Sequence, residues 1–164
     1  PIGLEKSIFQ IVNPGETVVI VVPDSFRMTR IEQVLPILVE GLVEAGISES
    51  DITFVYATGT HRGPTPEEER KILGDAIYKR FKNQAFSHDP RDEDNLVYVG
   101  TTSRGTKVHI HRRVQEADRI IAAGAVVLHY FGGFGGGRKS IVPGVASISS
   151  IASNHSMNLH RTED

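Results

Sequence analysis

"TVVIVVPDSFR" (17–27) decides the fold. Five consecutive β-branched residues, Val18 to Val22, have no polar residue between them. An amphipathic helix would show apolar positions three and four apart, and a strand with one wet face would alternate. A continuous β-branched run is a strand buried on both faces, which is the condition of a central strand in a parallel sheet covered by helices. The segment then turns polar at Asp24, and Arg27 follows it.

Working outward, the residues after this strand carry Ile31, Val34, Leu35, Leu38, Val39, Leu42 and Val43 at helical spacing, with Gly46 placed to end the helix. Pro36 inside that pattern is expected to kink or split it. "DITFVYAT" (51–58) is a second strand, and "TPEEERKILGDAIYKRF" (65–81) a helix. Thr65 caps this helix, Pro66 opens it and three acidic residues fill its first turn. "NLVYVG" (95–100), "TKVHIHRRV" (106–114) and "RIIAAGAVVLH" (119–129) read as further strands, the last of them buried, and a final helix starts near Ser147. Alternating strands and helices give an α/β fold: a mainly parallel twisted sheet flanked by helices, Rossmann-like, with right-handed crossovers.

The chain has 164 residues, 39% hydrophobic and 23% charged, which fits one domain with a real core. Its net charge of −2 lacks the basic excess of a dedicated nucleic-acid binder. With no cysteine, disulfides, thiol nucleophiles, iron–sulfur clusters and Cys-ligated zinc are excluded. No apolar run has the roughly 20 residues needed to span a bilayer, and "PIGLEKSIFQ" (1–10) is not a signal peptide. A cytoplasmic protein without membrane or nucleic-acid partners is expected. The chain opens on Pro1 and stops at "NLHRTED" (158–164) in a running helical pattern, so a piece of a longer protein is expected.

In an open α/β sheet, ligands gather beyond the carboxyl ends of the strands. Three polar clusters fall there: Asp24 and Arg27, then His61 and Arg62 in "TGTHRG" (58–63), then His129 and the glycine-rich "HYFGGFGGGRKSIVPG" (129–144). Each has an ordinary reading: Asp24 as a helix cap, Arg27 as a solvated residue, His61 as a turn histidine, His129 as a strand-end residue. The glycine loop resists one. Ordering a glycine costs about 0.5–1 kcal/mol more than ordering an alanine, and six lie within 129–144. Such a loop lets backbone amides approach an anion, the positive end of a following helix assists, and Arg138 and Lys139 add charge. The P-loop pattern G-x-x-x-x-G-K-S/T fails, because Arg138 stands where its last glycine belongs. His109 and His111 share a strand face, as metal ligands would, but a polar edge strand produces the same pattern. His88 and His160 read as surface residues. His155, in "NHSMN" (154–158), sits on the last helix, where a histidine facing the loop can ligate a metal.

Taken in order, "PDSFR", "TGTHRG", "NLVYVGTTSRGT" (95–106), "HYFGGFGGGRKSIVPG" and "NHSMN" resemble the N-terminal domain of the nickel-dependent lactate racemase family, over about residues 15–160. The resemblance implies a racemase or epimerase of a small 2-hydroxy acid, lactate or a relative, working through a 2-keto acid. It implies a nickel pincer nucleotide, pyridinium-3,5-bisthiocarboxylic acid mononucleotide, attached covalently at Lys139 and supplied by cofactor-synthesis enzymes. On this basis His61 and His129 are the catalytic bases, Arg27 and Asp24 bind substrate, and His155 ligates nickel. Lys139, Gly135, Gly136, Gly137 and Arg138 then bind the cofactor. Residues 1–164 form the N-terminal cofactor and catalytic domain of a two-domain protein, inactive without its C-terminal domain. The alternative is a phosphate- or nucleotide-binding α/β module without redox chemistry.

Overall fold

The computed structural model describes residues 5–27, 29–129 and 133–156. Strand β1, Val18–Pro23, is the centre of a four-stranded sheet. It pairs in parallel with β2 (Ile52–Ala57) on one side and with β6 (Arg119–Ala122) on the other; β3 (Ala85–Ser87) lies beyond β2. The sheet order is β3-β2-β1-β6, and every pairing is parallel.

The continuous apolar run of β1 is explained by the two cores it feeds. Side chains alternate across a strand. Val18, Ile20 and Val22 enter one core with Leu35, Val39, Leu73, Ile77 and Phe81. Val19 and Val21 enter the opposite core with Ile110, Val114, Val145 and Ile151. Both faces of β1 are therefore dry, and neither set tolerates a polar residue.

The first core is closed by α1 (Leu35–Glu44), α2 (Pro66–Leu73) and α3 (Asp75–Phe81). Pro36 splits the expected helix: Ile31–Gln33 is a single 3-10 turn, and α1 starts at Leu35, with Pro36 in its first turn where a missing N–H removes no helical bond. Gly46 (φ +94°) ends α1 as expected, and the Ile47 amide reaches back to the Leu42 carbonyl. Thr65 and Glu68 form a reciprocal capping box on α2. The single helix expected over 65–81 is two, because Gly74 (φ +77°) adopts a conformation no helix contains.

The second core is covered by an antiparallel hairpin, β4 (Leu96–Thr101) with β5 (Lys107–His111), followed by α4 (Arg112–Glu116) and by α5 (Ile148–Ser156). These strands are real but do not extend the parallel sheet.

Three expectations need correction. The strand expected over 119–129 is only β6, half exposed as a sheet edge. The chain leaves the sheet at Ala123–Gly124, Val126 is 70% exposed and Leu128 83%, and Leu128–His129 (β7) pairs instead with Gly133–Phe134 (β8). His88 is not a surface residue but is buried at the end of β3, its Nε2 2.9 Å from the Ala146 carbonyl and its ring 5.8 Å from that of His111. His111 is buried too, so the face it shares with His109 is not wet. His160 lies outside the described residues. No helix among the described residues is long and apolar enough to cross a membrane.

Candidate functional site

The carboxyl ends of β1 and β2 lead into two loops held at the same level, because Pro23 and Ala57 are register partners. A cavity of about 440 Å³ opens beyond them, walled on the far side by the 124–129 segment, by the turn 136–144 and by the end of α5. Asp24, Arg27, His61, His129, Lys139 and His155 all line it. Six residues spread over 132 positions of sequence thus share one wall-to-wall space.

Asp24 is 1% exposed, and both carboxylate oxygens meet protein partners. Oδ1 accepts from the Phe26 amide at 3.2 Å, and Oδ2 lies 2.6 Å from His61 Nδ1. A carboxylate can only accept, so Nδ1 carries the proton and Nε2 of a neutral ring is left with its lone pair. The Phe26 ring rests 4.7 Å from the imidazole, centre to centre, and limits its rotation. The His61 backbone is fixed by its amide to the Thr58 carbonyl at 2.9 Å, and the loop is tied across the cavity mouth by Gly59 N–H to the Gly144 carbonyl at 2.8 Å. Thr58, buried, donates its hydroxyl to the His88 carbonyl at 2.7 Å. Asp24, the expected substrate contact, lines the cavity and also holds His61.

Arg27, His129, Lys139 and His155 line the cavity close enough for their charges to interact. Burial lowers the Lys139 pKa below that of an ordinary lysine, and the Arg27 charge lowers it further. Burial likewise lowers the His129 pKa, with Lys139, Arg27 and His155 adding to it. Both groups are thereby biased toward their neutral, lone-pair-bearing forms.

The glycine loop is built differently from an anion cradle ahead of a helix. Gly135, buried, donates to the Val127 carbonyl at 2.7 Å. Gly136 (φ +74°) crosses so close to the 125–126 backbone that a Cβ would stand 2.5 Å from the Ala125 oxygen. Next comes one 3-10 turn, Gly137–Ser140, which presents Lys139. The next helix begins at Ile148, after Pro143 and Gly144 and beside the expected start near Ser147. Of the expected cofactor-binding residues, Gly136 and Lys139 line the cavity, whereas Gly135, Gly137 and Arg138 do not, the last two being exposed. Tyr130, Phe131 and Gly132 lie outside the described residues.

Sequence reasoning missed the Asp24–His61 pair and the part His88 plays behind it. The pair had a signal: Asp24, one residue past β1, and His61, four residues past β2, follow the ends of neighbouring parallel strands on the same rim. His88 had none, because its burial depends on the 145–148 segment returning over it.

Residues 1–164 match the family profile described as the lactate racemase N-terminal domain. The chain is 34% identical over 155 residues to the lactate racemase of Thermoanaerobacterium thermosaccharolyticum, covering 94% of this chain and 35% of that protein. It is 33% identical over 156 residues to the lactate racemase of Lactiplantibacillus plantarum, covering 95% and 36%. The fold superposes on the Thermoanaerobacterium lactate racemase apoprotein with a TM-score of 0.81, at 34% identity, covering 93% of this chain and 36% of that one. On a Thermotoga maritima protein it superposes with a TM-score of 0.74, at 25% identity, covering 92% and 38%. The chain thus spans little more than a third of the length of these curated relatives, and over that span it belongs to the lactate racemase N-terminal domain family.

Proposed function

We propose that this chain forms the cofactor-bearing and catalytic part of a racemase for a small 2-hydroxy acid, with lactate as the first candidate substrate. The observation that carries the reading is the Asp24–His61 pair on the same cavity as His129, with Arg27 beside them.

A 2-hydroxy acid offers a carboxylate and a neighbouring hydroxyl. Arg27 binds the carboxylate through its planar fork of donors. His61, its Nδ1 proton held by Asp24, takes the 2-hydroxyl proton at Nε2, and Asp24 stabilises the imidazolium that results. His129, neutral because burial and neighbouring cations disfavour its charge, serves the opposite hand of the substrate in the same way. Two bases reached from different strands let either enantiomer enter and leave.

The residues fit a nickel pincer nucleotide. Lys139, half-buried with a lowered pKa, keeps an amine available for a covalent link. His155 supplies an imidazole nitrogen on the same cavity. No three His, Asp or Glu side chains gather as a metal site among the described residues, and in this reading the cofactor itself supplies further donors to the metal beside His155. When bound, that cofactor supplies the acceptor for the substrate's C2 hydrogen. Closure of the site by a further domain belongs to the same reading.

The test is racemisation of pure L-lactate by the full-length protein, co-produced with cofactor-synthesis enzymes, alongside its intact mass. Racemisation together with a covalent mass increment that Lys139→Ala abolishes supports the reading. A loaded protein that binds nucleotides but leaves both lactate enantiomers untouched overturns it in favour of a plain nucleotide-binding module.

A further inference from the structure

We infer that Ser150 is a positioning residue for His155: its buried hydroxyl replaces the backbone group that is lost where the chain changes from strand to helix, and so fixes α5 against the cavity. The functional meaning of His155 rests on the reading above; the structural role of Ser150 does not.

Residues 145–147 run antiparallel to the free edge of β5. Ile110 and Ala146 form a bridge, the His111 amide donates to the Val145 carbonyl and the Ser147 amide to the His109 carbonyl, each at 2.9 Å. The next bond of such a ladder would run from the His109 amide to the Ser147 carbonyl. That carbonyl has already been taken by the first turn of α5, where it accepts from the Ile151 amide at 2.9 Å. The His109 amide would be stranded, and buried amides are rarely left so. It donates instead to Ser150 Oγ at 3.0 Å. The same hydroxyl donates to the Lys107 carbonyl at 2.8 Å, and Ser147 Oγ lies 2.7 Å away. Ser150 is fully buried, one turn of helix before the segment that carries His155.

The dependence on a hydroxyl follows from how little apolar surface α5 buries. Of its nine residues, Ile151 is the one buried hydrophobic side chain. A helix of that length is not stable on propensity alone and takes its position from what it packs on. Ser153 reaches Thr106 at 3.1 Å further along, but Ser153 is only half-buried. An alanine at 150 leaves both the His109 amide and the Lys107 carbonyl without that partner and frees α5 to shift.

Four proteins are compared by NMR with 13C-labelled histidine at one fixed pH and by amide hydrogen exchange: the native chain, Ser150→Ala, Ser150→Thr and Ser153→Ala. Ser150→Ala is expected to move the His155 ring resonances and speed exchange across 148–156 by about tenfold or more, with His61 unchanged. Ser150→Thr, which keeps the hydroxyl, should restore both, and Ser153→Ala should have little effect. If Ser150→Ala leaves the His155 signal and α5 exchange as in the native chain, or Ser153→Ala disturbs them equally, the inference is overturned. Nickel content of the loaded full-length His155→Ala protein reports on the ligand reading separately. Nickel fully retained there removes His155 as a ligand without touching the Ser150 result.

Discussion

Asp24 Oδ2 stands 2.6 Å from His61 Nδ1, a fully buried acid supporting a ring that is 41% exposed on the cavity side. The two residues are 37 positions apart, yet their meeting follows from the parallel register of β1 and β2. The acid therefore decides which nitrogen of the His61 ring faces the cavity.

Asp24→Asn tests that relationship. An asparagine can present its NH₂ to Nδ1 and so reverse the tautomer, leaving a proton on Nε2 where a lone pair is needed. The full-length enzyme should lose about 10²–10⁴ in kcat for lactate, the range typical of a lost general base. KM should change little if Asp24 does not touch substrate, whereas a KM effect with intact kcat would return it to substrate binding.

His88 and His111 make the fold sensitive to acid. Burial lowers both pKa values, His111 to about 4; the His88 ring and Arg113 lower that of His111 further, while Asp92 opposes both shifts. An unfolded histidine titrates near 6.5, so on acidification the unfolded chain takes up protons that the fold refuses. Stability should be full above about pH 6.5 and fall by on the order of 3 kcal/mol for His111 by pH 4. Urea midpoints measured from pH 7.5 to 4 check this, and His111→Gln should flatten the dependence.

Two glycines of the loop should respond differently to alanine. At Gly136 a Cβ meets the Ala125 carbonyl, and φ is +74°. At Gly133 φ is +72° but no atom of the described residues beyond its chain neighbours lies within 4 Å of the added carbon. Gly133→Ala should cost about 1 kcal/mol, the penalty for left-handed backbone alone. Gly136→Ala should cost clearly more, about 2–4 kcal/mol, because backbone must also move. Denaturant titration of the two variants decides whether close approach or mere conformational freedom put glycine at 136.

What could be read in advance was whatever local pattern dictates. The β-branched run of 18–22 named the central strand, Thr65 and Gly46 marked real helix ends, and the polar residues after β1 and β2 marked the rim. What could not be read was set by contacts distant in sequence. "RIIAAGAVVLH" is apolar enough for a long buried strand, but Gly124 lets the chain leave the sheet, and its second half borders the cavity mouth. His88 and His111 look like loop and edge residues until 145–148 folds over them. The glycine loop advertised an anion cradle, yet its close crossing of 125–127 is what calls for Gly136.

The central claim is that His61 and His129 serve one substrate from one cavity. Its most direct test is the initial rate of racemisation from pure L- and from pure D-lactate by full-length His61→Ala and His129→Ala, each with its covalent cofactor mass and nickel verified. Each variant should stay loaded and lose about 10²–10⁴ in rate in both directions, since an equilibrium between enantiomers cannot be slowed one way only. A loaded His61→Ala or His129→Ala enzyme that racemises lactate at close to the native rate would contradict it.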